Sequence, residues 1–192
     1  MHSFDYYLAK SDLTPYSGTI IFPNFEALHA IASQDNFVNI LNAKLQEAVL
    51  ENKWNRFSFI THLVATVDNG YHDYQPVYLT MMDFVIKNFS KNTHTTNEQV
   101  IEVVLDLFWH QEKHLKDLNR EGQLKLFSFL KITTGFKYEV SDYDEATFFA
   151  VNKSMDLIKY QNDYGDSRVL KNMFLNHFDI HIRNEAAEWI KD

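Results

Sequence analysis

The chain has 192 residues, and its 18 lysines and arginines are outnumbered by 26 aspartates and glutamates, which gives a formal net charge of −8 at pH 7. Such a charge repels a phosphate backbone unless cations gather on one face. The sequence has no basic cluster, so we expect no nucleic-acid partner. Cysteine is absent, which excludes disulfides, thiol nucleophiles and thiolate metal sites.

Hydrophobic residues make up 45% of the chain and predict a folded core, which at this length is one domain over residues 1–192. No uninterrupted apolar run exceeds four residues, far fewer than the roughly 20 that a membrane span needs. The amino terminus also lacks the basic and apolar regions of a secretion signal. We therefore expect a cytoplasmic protein with no membrane partner.

Glycine and proline are scarce, with 5 and 3 residues, whereas all-β folds use both heavily in their turns. The composition therefore predicts an all-α fold. Residues 1–23 are the exception. The residues between Gly18 and Pro23 are β-branched or aromatic, so we predict a short extended N-terminal segment.

From Asn24 onward, capping and stop signals recur and predict roughly nine helices. Asn36 caps one helix, Asn69 and Gly70 stop another, and Pro76 stands in the first turn of the next. The predicted helices cover residues 24–33, 36–49, 54–67, 76–90, 95–118, 124–132, 141–160, 167–178 and 180–191. This number excludes a simple four-helix bundle and leaves an orthogonal helical array or a stack of helix pairs.

The segment covering residues 166–190 resembles a HEAT-like helical repeat. Residues 179–190, DIHIRNEAAEWI, have the turn Asp, the Ile-Arg pair and the paired small residues of a second HEAT helix. The resemblance implies that Asp179 caps this helix, that Ala186 and Ala187 admit a neighbouring helix, and that the chain forms an α-solenoid with a partner-binding inner surface. The preceding helix would be its mate through its apolar residues, Val169, Leu170, Met173, Phe174 and Phe178.

Two residue pairs are candidates for a metal site, and a metal-dependent hydrolase is therefore the alternative function. His110 and His114 are four residues apart on one predicted helix, although they lie opposite its apolar stripe, where a solvated face is expected. His72 and Asp73 resemble the dyad of HD-type metal phosphohydrolases, but the further ligands of that family are missing, and Asp73 acting as a helix cap is the other reading. The five glycines form no nucleotide-binding motif, so we expect no cofactor.

Tyrosines and acids occur together at two breaks between predicted helices. Tyrosine offers a large contact area with few rotatable bonds, and carboxylates pair with the lysines and arginines of a basic partner. Acids in a first helical turn and tyrosines folded onto the core are the alternative. The predicted partner-binding residues are Tyr138, Glu139, Asp142, Tyr143, Asp144 and Glu145 at the first break, and Asp163, Tyr164 and Asp166 at the second.

The acidic balance, the 15% aromatic content and the absence of cysteine resemble, in composition only, the immunity proteins that neutralise bacterial nuclease toxins. The resemblance implies an inhibitor that occludes a basic protein, such as a cognate toxin, with an acidic, tyrosine-bearing face. A regulatory scaffold is a further alternative. The sequence sets no oligomeric state.

Overall fold

A computed structural model describes residues 3–13, 25–67, 72–89, 117–135 and 167–189, together with Val104, Phe108, Leu115, Leu157 and Ile158. Within these residues there are helices and turns and no strand, which confirms the all-α prediction. The number nine and the solenoid or orthogonal arrangement stay predictions. The helices are α1 (Phe4–Asp12), α2 (Phe25–Ala32), α3 (Phe37–Leu50), α4 (Trp54–Val67), α5 (Gln75–Phe89), α6 (Arg120–Gly135), α7 (Ser167–Leu175) and α8 (Ile180–Trp189).

The N-terminal prediction is wrong in part, because residues 4–12 form a helix and not an extended segment. Ser3 is its N-cap, with Oγ accepting from the backbone N–H of Tyr6. Phe4, Tyr7 and Leu8 are buried, which is the i, i+3, i+4 spacing of an amphipathic helix. The signals that favoured an extended chain lie in residues 16–23, which are outside the described residues.

Several predicted boundaries agree with the structure to within a residue, and two caps do not follow the prediction. Asn36 precedes α3, but its side chain makes no capping hydrogen bond. Helix α6 begins at Arg120 and not at Leu124, because Asn119 Oδ1 accepts from the backbone N–H of Gly122 at 2.9 Å. The apolar pattern alone therefore places the start of α6 one turn too late.

The chain divides into two compact units, residues 1–80 and 81–192, with the boundary inside α5. A single domain over residues 1–192 stays a prediction. No helix among the described residues is long and apolar enough to cross a membrane.

The first unit is organised around α4, against which α1, α2 and α3 all pack. Phe57, Ile60 and Leu63 of α4 are fully shielded from solvent, as are Leu41 and Leu45 of α3. Burying each of these side chains contributes roughly 1.5–3 kcal/mol. The core of this unit is therefore formed where α3 and α4 face each other.

A cluster of charges also joins α1 to α4. The buried Arg56 guanidinium binds Asp12 with both prongs, Nε donating to Oδ1 at 3.0 Å and Nη2 to Oδ2 at 2.5 Å. Arg56 Nη1 also donates to Glu47 at 3.2 Å, and Lys44 lies 3.2 Å from Glu47 and 3.4 Å from Asp5. The bond to Asp12 raises the pKa of Arg56 above its ordinary value. We call Asp12, Glu47 and Arg56 the Arg56 corner.

In the second unit, α7 packs against both α6 and α8. Phe129 and Leu130 of α6 and Phe174 of α7 are fully buried, and the Phe108 ring lies 5.2 Å from that of Phe129. Gln123 is buried as well, but its Nε2 donates to the Leu115 carbonyl at 3.2 Å, so its amide is not left unpaired in the core. This packing sets the position of the C-terminal end of α6 beside α7.

Candidate functional site

The predicted partner-binding residues and one of the two metal pairs fall outside the part of the chain that the structure describes, and both stay predictions. Those residues are Tyr138, Glu139, Asp142, Tyr143, Asp144, Glu145, Asp163, Tyr164, Asp166, His110 and His114.

His72 and Asp73 lie in the described part, just before α5. His72 Nε2 donates to the carbonyl of Ala32 at 2.9 Å, and Asp73 Oδ1 accepts from the backbone N–H of Gln75 at 2.9 Å. Asp73 therefore caps the start of α5, as its alternative reading predicts. Across the described residues, no group of three or more His, Cys, Asp or Glu is placed to hold a metal ion. The hydrolase function stays a prediction without a described ligand set.

An open groove lies in the second unit, along the C-terminal end of α6, α7 and the turn after α7. Its volume is about 580 Å³, within the range of small-molecule and side-chain binding sites. Among the described residues that line it there is no Asp, Glu, Lys or Arg. The residues used below are Thr134, Val169, Met173, Asn176, His177 and Phe178.

The imidazole of His177 is buried at one end of this groove. Its Nδ1 accepts from the backbone N–H of Asp179 at 3.1 Å, so the proton of the neutral ring is on Nε2. Nε2 is shielded from solvent and makes no hydrogen bond of good geometry. Burial lowers the pKa of His177, and Arg183 acts in the same direction, while the Asp179 carboxylate and the Thr134 carbonyl oppose this shift. The ring is therefore held in its neutral form.

The hydroxyl of Thr134 is a second buried polar group of the groove. Thr134 is only 1% exposed, and its Oγ1 has no hydrogen-bond partner. The neighbouring Thr133 is also buried, but its Oγ1 donates to the Leu130 carbonyl at 3.2 Å. Leaving such a group unpaired costs about 1–3 kcal/mol.

Apolar side chains form the rim of the groove. Phe178 is 55% exposed and its ring centroid lies 4.2 Å from that of His177, while Val169 is 37% exposed. The sequence placed both among the residues that pack on the last helix. Helix α7 does pack on α8, but these two residues do not take part as expected, because Phe178 lies beyond the helix end at Leu175 and Val169 is on the exposed side of α7. The buried residues of α7 are Leu170 and Phe174. An exposed aromatic ring beside a buried imidazole is a feature that helical periodicity did not predict.

The turn between α7 and α8 holds this end of the groove in place. Asp179 Oδ1 accepts from the backbone N–H of His181 at 2.7 Å, which confirms that Asp179 caps α8. Arg183 Nη1 donates to the carbonyls of His177 and Phe178. Of the two alanines expected to admit a neighbouring helix, Ala187 is exposed, which contradicts that role, and Ala186 is fully buried, which is compatible with it.

Comparison with known proteins gives no match to a family model, to a curated protein or to a solved structure. Any function for this chain is therefore inferred from its own residues.

Proposed function

We propose that this chain is a protein-binding domain, an immunity-type inhibitor that occludes a basic partner such as a nuclease toxin. The observation that carries the proposal is the surplus of acids over bases, 26 against 18, together with the nine tyrosines and carboxylates at two breaks of the helical sequence. We further propose that the protein is cytoplasmic and that its helices form a HEAT-like or orthogonal array.

Ion pairing in the described residues supports this proposal. Arg56 is engaged by Asp12 and Glu47, and Lys44 contacts Glu47. In the second unit, Lys125 lies 2.7 Å from Asp83 and 3.3 Å from Glu121. Cations held by neighbouring carboxylates offer little to an anionic partner, whereas the excess acids remain to attract a cationic one.

The mechanism is occlusion of a cationic surface. Carboxylates take the place of nucleic-acid phosphates against the lysines and arginines of the partner, and the tyrosine rings supply contact area with a polar end. Long-range attraction between the two surfaces speeds their encounter, and this attraction weakens as salt is added.

The test is capture of a partner from native extract by a charge-altered variant and a matched control. The site variant replaces Glu139, Asp142, Asp144 and Glu145 with Gln or Asn. The control replaces four exposed acids elsewhere, Glu26, Asp35, Glu185 and Glu188, in the same way, so that both change the net charge by +4.

We expect the wild type and the control to retain one basic protein at low salt and the site variant to lose it, as identified by mass spectrometry. Adding the captured nuclease to a nucleic-acid cleavage assay should then show inhibition by the wild type. Equal capture by the site variant and the wild type, or a captured protein that is acidic, would contradict the proposal.

A further inference from the structure

We draw no further inference here: the strongest candidate, the open groove along the C-terminal end of α6 and α7, carries nothing because its two buried polar atoms are closed to solvent and nothing in the described part of the chain shows what covers it.

Discussion

The Arg56 corner and the groove are both places where buried polar groups meet the end of a helix, and they differ in how those groups are satisfied. At the Arg56 corner, three guanidinium nitrogens are paired with carboxylates from two other helices. In the groove, His177 Nε2 and Thr134 Oγ1 are buried, and neither makes a hydrogen bond of good geometry. The first arrangement is complete within the described residues and stabilises them, whereas the second lowers stability.

The largest expected effect is at the Arg56 corner. Asp12→Ala leaves a guanidinium that is nine-tenths buried without its two-pronged carboxylate partner, so we expect a loss of about 3 kcal/mol in the free energy of unfolding. Asp5→Ala is the matched control, because Asp5 is 76% exposed where it contacts Lys44, and it should cost less than about 0.5 kcal/mol. Urea unfolding measures both, and equal losses would contradict the view that Asp12 joins α1 to α4.

The second effect is a dependence of the free energy of unfolding on pH, caused by His177 in the groove. The pKa of His177 is lowered in the folded chain, so unfolding takes up a proton once the pH falls below the unfolded value of about 6.5. Its contribution to stability is complete above that pH and is lost as the pH falls through the folded pKa, with a slope of at most about 1.4 kcal/mol per pH unit. Protonation of Nδ1 also removes the acceptor that the Asp179 N–H uses.

His177→Asn keeps an acceptor for the Asp179 amide but cannot be protonated. Between pH 7 and pH 5, the free energy of unfolding of this variant should fall less steeply with decreasing pH than that of the wild type. The same pH dependence of the free energy of unfolding in both proteins would show that His177 is not held neutral by the fold.

The smallest effect compares adjacent threonines of α6. Thr134→Val removes an unpaired buried hydroxyl and should stabilise the chain by up to about 1 kcal/mol. Thr133→Val removes a hydroxyl that donates to Leu130 and should destabilise it by about 1 kcal/mol. Effects of the same sign, measured by thermal or urea unfolding, would contradict the contrast between paired and unpaired groups.

Local features of this fold were predictable from sequence, and contacts between distant residues were not. The bounds of α4 match the prediction because the helical period of its apolar residues and the Asn69-Gly70 stop signal indicate the same end. Asp179 caps α8 because Asp is among the residues that N-cap positions prefer most strongly. Helix α1 was not predicted, because the extended pattern of residues 16–23 was applied to the whole segment. The helical signal before it is short and consists of the Ser3 cap and the apolar spacing of Phe4, Tyr7 and Leu8.

The Arg56 corner and the groove could not be predicted from sequence, because each joins residues that are far apart along the chain. Asp12 and Arg56 are 44 residues apart, and Thr134 and His177 are also brought together only by the packing of α6 on α7. Whether a buried threonine or histidine finds a partner depends on that packing to within an ångström, and helical periodicity does not carry such information. The exposed Phe178 could have been found only by placing the end of α7 at Leu175.

The most direct test of the central claim is the association rate of the captured partner measured against salt concentration. An acidic face that meets a basic protein predicts a rate that falls about tenfold or more between 20 and 500 mM NaCl, with a shallower fall for the variant altered at residues 139, 142, 144 and 145. A rate that is indifferent to salt, or equally sensitive in that variant and the wild type, would contradict the account.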